Sequence, residues 1–263
     1  MSAQIQEMAD QFADLRPFMR MTVAPGVTVG QLNFVAALTH WSTALLSIAI
    51  NNTIPSDVSV DLFQAGIGDT GQGYTGALTR GQTSWEDSQG RLPANQCFIA
   101  TSTSFQLYRR DTAATGSTVA VETTVPNIEA LHAIARALSW EETIGDGITR
   151  NHGPIAQHAG MGGVWAVPSV GSAFTLTEGA PNVIVGYQEP GFDVNAIIGN
   201  PDARGSKLPL PVIFPPNINV KLTVKGGTGF VVPVGNNSRN TLPSSTFLAI
   251  RQYLHGYLCT MPV

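Results

Sequence analysis

The chain has 263 residues, a formal net charge of −4, 43% hydrophobic residues and only 12% charged ones, about half the usual share. That apolar content suffices for one large β domain or two smaller ones, and the acidic balance without a Lys/Arg stripe excludes a nucleic-acid-wrapping role. So few charges suit a chain that buries much of its perimeter against copies of itself. No run reaches the ~18 apolar residues of a membrane-spanning helix, and the first residues lack the pattern of a secretory signal.

In chain order, residues 2–16 predict an amphipathic helix with Ile5, Met8, Phe12 and Leu15 on one face, capped by Ser2 and ended by Pro17. It runs into Phe18 and Met19, which lie between Arg16 and Arg20. Such an arm packs on its own or a neighbouring subunit, or lays Phe18 and Met19 onto a membrane surface, a reading that its acidic outer face weakens. From Thr22 onward the pattern changes to period two. Strands are expected at 21–23, 27–34, 42–50, 58–64, 97–109 and 117–123, separated by turn clusters such as "NNTIPSD" and "RDTAATGS". One internal helix is expected at 127–140, capped by Asn127 and buried through Ile128, Leu131, Ile134, Ala135 and Leu138. After a Gly-rich connection at 144–163, further strands are expected at 164–170, 173–177, 183–187, 210–214, 218–224, 229–234 and 246–258. Pro209 and Pro211 are placed ahead of one strand, Pro215 and Pro216 behind it. Many strands, few helices and 17 prolines give an all-β class of sandwich or jelly-roll type.

The stretch "DVSVDLFQAGIGDTGQGYTGALTRG" spaces Gly66, Gly68 and Gly71 as a dinucleotide fingerprint. The fingerprint needs a helix directly behind it to aim free N–H groups at the pyrophosphate. No apolar stripe of period 3.6 follows, so the stretch reads as a strand leading into a Gly/Thr/Gln-rich loop, and no cofactor is expected. His152 and His158 form the only close histidine pair, at a spacing that fits no zinc motif; no metal is expected. Glu141, Glu142 and Asp146 read as the solvated end of the internal helix, with calcium binding the less favoured reading. Cys97 and Cys259 each lie in an apolar run and read as buried thiols, a disulfide between them staying open. No nucleophile elbow, metalloprotease helix or phosphate loop is present, and no enzyme is expected.

Several of these pieces together resemble the jelly-roll major capsid proteins of tailless, icosahedral, often membrane-containing bacteriophages. They are "VDLFQAGIGDTGQGYTGALTRGQTSW", "GRLPANQCFIATSTSFQLYRR", "LPLPVIFPPNINVKLTVKGG" with "STFLAIRQYLHGYL", and the short helix ahead of the first strand. The resemblance implies a double jelly roll of two eight-stranded barrels with an N-terminal amphipathic helix and one internal helix. On this division residues 1–20 are the arm, 21–145 the first barrel and 146–263 the second. A single jelly roll with long insertions is the alternative. The implied function is mechanical: a subunit that forms homotrimers and then an icosahedral virion shell, made in the host cytoplasm. Implied partners are copies of itself, minor capsid or penton proteins, and an inner membrane touched by the arm, with no sequence-specific nucleic-acid binding. Expected contact residues are Ile5, Met8, Phe12, Phe18 and Met19 on the inner face, and the loop aromatics Tyr74, Trp85 and Phe192. Such aromatics serve equally to staple their own loop. The competing class is a trimeric β-sandwich spike or a carbohydrate- or receptor-binding module.

Overall fold

The computed structural model describes residues 13–47, 53–86, 91–111, 122–124, 134–145, 147–158, 173–176, 183–186, 206–227, 230–231 and 246–262. Ile5, Met8, Phe12 and Phe192 lie outside them, as do the expected strand at 164–170 and the first half of the internal helix.

Two antiparallel sheets share one core. The first joins β3 (Asn33–Ser47), β6 (Gln96–Asp111), β12 (Ser206–Phe214) and β15 (Thr246–Thr260) in the order β12-β6-β15-β3, with β7 (Glu122–Thr124) added on β6. The second joins β5 (Ser59–Leu62), β8 (Leu138–Ile144), β9 (Ile148–Pro154) and β13 (Val220–Gly226) in the order β5-β13-β8-β9. Their inner faces meet through Phe98, Phe105, Phe214, Leu248, Ile250 and Leu254 on one side and Val60, Leu62, Trp140, Val220, Leu222 and Val224 on the other. Leaving β7 aside, the pairing is nested. The first strand pairs with the last (β3–β15), the second with the seventh (β5–β13), the third with the sixth (β6–β12) and the fourth with the fifth (β8–β9).

Each sheet therefore takes strands from both sides of residue 145, and the two successive barrels expected at 21–145 and 146–263 do not appear as separate units among the described strands. The physical reason lies in strand pairing: β3 starts at Asn33, runs unbroken through "ALTHW" to Ser47 and takes the distant β15 as its partner, and only its first two residues fall in the strand expected at 27–34. Other strands make small two-stranded side sheets: β1 (Thr22–Ala24) with β2 (Val27–Thr28), β10 (Ala173–Leu176) with β11 (Val183–Gly186), and β14 (Phe230–Val231) with β4 (Thr53–Ile54), the last in a stretch expected to be a turn. The helix expected over 127–140 is also corrected at its end. Residues 134–137 are helical, but Leu138–Ile144 is strand β8, whose alternation of buried and half-exposed residues has period two. The β-hairpin β8–β9 replaces the expected Gly-rich connection.

Two further details depart from expectation. Pro209 and Pro211 lie inside β12 rather than ahead of it. β12 is an edge strand whose register breaks between Lys207 and Val212, so the missing N–H groups fall where the ladder is already interrupted. The described part of the N-terminal helix, Ala13–Phe18, is 3-10 and contains Pro17.

The outer face of the first sheet is covered at one end by residues 13–32. There Leu15, Val23, Val29 and Leu32 pack on Cys97, Ile99, Ile213, Tyr257 and Cys259. β15 reaches these contacts through a register shift between His255 and Gly256, where it approaches β6 closely: a Cβ on Gly256 would lie 2.0 Å from the Ile99 carbonyl oxygen. Gly256→Ala is expected to cost about 3 kcal/mol by forcing two central strands apart, read as a lowered urea midpoint. Gly76→Ala, where a Cβ meets nothing within 4 Å, is expected to stay within about 0.5 kcal/mol of the parent.

Candidate functional site

A sandwich of two open sheets has two seams where the edge strands face each other, and both are built from residues that the sequence marked for other reasons. The first seam lies between β3 and β5. The loop 63–86 runs along it, and the upper edge of β3 is closed by that loop. The Leu45 N–H donates to the Gln72 carbonyl (3.0 Å), the Ser84 N–H to the Trp41 carbonyl (2.9 Å), and the Trp41 N–H to the Ser84 hydroxyl (2.9 Å). The Gln72 side-chain amide reaches β5, accepting from the Asp61 N–H (2.6 Å) and donating to the Ser59 carbonyl (3.0 Å). A β-edge left unpaired invites uncontrolled strand addition, and this loop removes that exposure.

The fingerprint glycines belong to this loop. No helix follows them; the chain makes turns and an isolated bridge between Thr70 and Ala77. Gly73, with φ +79°, sits so close to β3 that a Cβ would lie 2.6 Å from the Leu45 carbonyl oxygen. Tyr74 and Leu78 then cover Leu45 and Ala249 on the outer face of the first sheet. Of the expected contact residues, Tyr74 is only 8% exposed and Trp85 only 2%, with Trp85 packed edge-on against Phe63 and His40 inside the main core. Both rings staple their own loop. Met19 packs against the cluster under the N-terminal arm, and Phe18 is half-buried.

His40 lies on the core side of this seam, its Nδ1 3.0 Å from the Ser84 hydroxyl and its ring edge-on to Phe98 and Trp85. A cavity of about 460 Å³ lies beside it, lined by Leu38, Trp85, Leu92 and Leu258 among others. Burial lowers the His40 pKa from 6.5 to about 4.

The second seam lies between β9 and β12, and its centre is Glu142. The sequence placed this residue at a solvated helix end, with calcium as the less favoured role; its carboxylate is instead fully buried on the inner face of β8. Period-two spacing on β9 brings Arg150 and His152 to the same face. Arg150 donates to Glu142 Oε1 at 2.7 Å, and His152 Nε2 lies 3.1 Å from Oε2. Arg150 also reaches the Pro211 carbonyl on β12 at 3.4 Å, so the ion pair bridges the seam. The His152 ring stacks flat on Trp140, with centroids 3.9 Å apart and planes 6° apart. The 3-10 turn Ile155–His158 finishes the closure: His158 Nε2 donates to the His152 carbonyl (3.0 Å), and Ser206 donates to the Gln157 carbonyl (3.0 Å). Burial lowers the His158 pKa below its ordinary value. Glu141, one residue before, points the other way and pairs with Lys225 on β13.

These groups fasten a hairpin to its neighbour. Both Glu142 oxygens are engaged, and His152 is sandwiched against an indole. Among the described residues no group of three or more His, Cys, Asp or Glu gathers as a metal site. The helix expected over 127–140 and the Gly-rich connection expected at 144–163 hid this cluster, because neither implies a hairpin register. A strand reading of "LSWEETI" opposite "ITRNHGP" would have placed Glu142 across from Arg150. Comparisons with protein-family models, curated proteins and solved structures found no match.

Two outcomes are expected. Arg150→Met leaves a buried carboxylate without its cation and is expected to cost about 3 kcal/mol in urea unfolding, whereas Arg80→Ala, at an exposed pair with Glu86, is expected to cost under about 0.5 kcal/mol. The second concerns pH. His40 is neutral in the folded chain, while the unfolded chain binds a proton below pH 6.5, so its contribution is complete above pH 6.5 and is lost as pH falls toward 4. The loss is on the order of 3 kcal/mol, and His40→Phe is expected to flatten that part of a stability–pH profile measured by denaturant midpoint.

Proposed function

We propose that the chain is a single eight-stranded jelly roll with long insertions, serving as the major capsid subunit of an icosahedral virion shell. The observation that carries this reading is the nested strand order, first with last through fourth with fifth, which is the wrapping of a jelly roll. It favours the single-barrel form over two successive barrels. The low charge supports it as well: a perimeter of Ser, Thr, Asn, Gln and Gly can be buried against copies of the chain without desolvating many ions. Closed symmetry multiplies modest contacts between such copies into a stable shell, so the partners are other copies first and minor shell proteins second. On this reading the residues ahead of Ala13 act as an arm toward the shell interior or an underlying membrane.

The test is assembly. Purified protein is expected to form closed particles visible by negative-stain electron microscopy and sedimenting far faster than a 27.8 kDa chain. A dispersed monomer across concentration, salt and pH would sink the proposal. Deleting residues 2–12 keeps Leu15 and the arm's core contacts, and is expected to leave the unfolding midpoint unchanged while reducing particle yield or liposome flotation.

A further inference from the structure

The two cysteines of the chain, 162 positions apart in sequence, are direct cross-strand partners: Cys259 on β15 is registered with Cys97 on β6. The register is unbroken around them, Tyr257 opposite Ile99 and Thr260 opposite Gln96. Both side chains are on the outer face of the sheet, fully buried in one cluster, and both thiols are free. Two residues further on, the Met261 N–H donates to the Asn95 carbonyl at 3.0 Å. Alternation along an antiparallel ladder then makes Cys97–Cys259 a hydrogen-bonded pair, for which Cα atoms lie about 5.5 Å apart. Disulfides form over Cα separations of about 4.4–6.8 Å and Cβ separations of about 3.5–4.5 Å, so the backbone spacing fits and closure draws the two Cβ atoms together from about 5.5 Å.

We propose that Cys97 and Cys259 are an oxidative closure site, in which a disulfide-class oxidant joins them into one bond beneath the N-terminal arm. The step is thiol–disulfide exchange. One cysteine thiolate attacks a small disulfide and releases one thiol; the second then attacks the mixed disulfide and releases the other. Two protons and two electrons leave the protein, and one disulfide of the oxidant becomes two thiols. Burial pushes both thiols up to about 12, Cys97 also feeling its neighbour Cys259, so the closed arm keeps the pair reduced and slow to react. Leu15 and Val29 of the covering segment 13–32 are fully buried in the same cluster as the pair, so access requires that segment to lift. Once closed, the bond would tie the last strand to β6 across most of the chain, which constrains the unfolded state. The inference rests on the register and the arm, and stands whether or not the chain builds a shell.

The experiment incubates the folded full-length chain with oxidised glutathione at pH 8 and reads intact mass and free thiols over time. The expected product is 2 Da lighter than the reduced chain, monomeric on a non-reducing gel, free of stable glutathione adduct, and higher in urea midpoint. Val29→Ala, which loosens the arm without adding charge, is expected to raise the rate at least threefold while the far-UV spectrum stays that of the parent. Cys97→Ser is expected to stop at a mixed disulfide on Cys259 or to stay reduced. Intermolecular dimers, stable adducts on both cysteines, or two persistent thiols in Val29→Ala after full incubation would each overturn the proposal. An oxidation rate identical in parent and Val29→Ala would overturn the role of the arm.

Discussion

Everything in this fold waits on β15. The last described strand is not an edge but the centre of the first sheet, registered with β3 from Phe247 to Thr260 on one side and with β6 from Thr246 to Thr260 on the other. Its inward residues Leu248, Ile250 and Leu254 fill the core, and its outward Ala249, Tyr257 and Cys259 anchor the loop and the arm. Until it inserts, β3 and β6 each lack a neighbour and the core is open on one face. Such pairing between the two ends of the chain pays its loop-closure entropy before any contact is gained, which favours slow, cooperative folding.

Closing the sheets with non-local strands leaves the seams, and the two are solved differently. Between β3 and β5 the chain lays down an ordered loop that pairs with the edge through its backbone and the Gln72 amide. Between β9 and β12 it uses a buried ion pair backed by aromatic stacking. The second solution is electrostatically demanding, since a buried carboxylate is tolerable only with both oxygens engaged. In return it fixes the register of the β8–β9 hairpin, because a one-residue slip would turn Glu142 outward and leave Arg150 and His152 facing the core. Edges guarded in these ways are closed to uncontrolled strand addition.

The class and most strands were legible because their signals are local. Alternation in "STFLAIRQYLHGYLCT" correctly separates Leu248, Ile250 and Leu254 from Ala249, Arg251 and Tyr253. The errors arose where a local pattern fits two structures. "NIEALHAIARALSW" carries a helical stripe, but only 134–137 is helical among its described residues, and Leu138 and Trp140 alternate into the core as strand residues instead. Residues 35–41 of β3 fell between two expected strands; there His40 faces inward and finds Ser84 on the loop, as Ser42 finds the Phe63 N–H. Nothing local in a sequence announces that Glu142 faces Arg150, since that depends on the hairpin register. Of the two roles open to the loop aromatics, Trp85 takes the staple: its loop is polar by composition, yet folds back far enough to insert that ring beside Phe214.

The scarcity of charge takes on a more specific meaning once the ion pairs are placed. The chain has three lysines, and each meets a carboxylate on another element: Lys207 meets Asp14 of the arm, Lys221 meets Asp61 on β5, and Lys225 meets Glu141 on β8. Exposed pairs of this kind add little stability each. Their effect is on the surface that remains, which carries no lysine free of a nearby carboxylate. Burying such a surface against another copy requires stripping water from hydroxyls and amides, which can be re-paired across an interface, rather than from isolated ammonium groups, which cannot. The same placement also joins Asp14 of the arm to Lys207 on β12. The docking of the arm itself rests on Leu15, which is fully buried against the first sheet, while the exposed Lys207–Asp14 pair adds little to it.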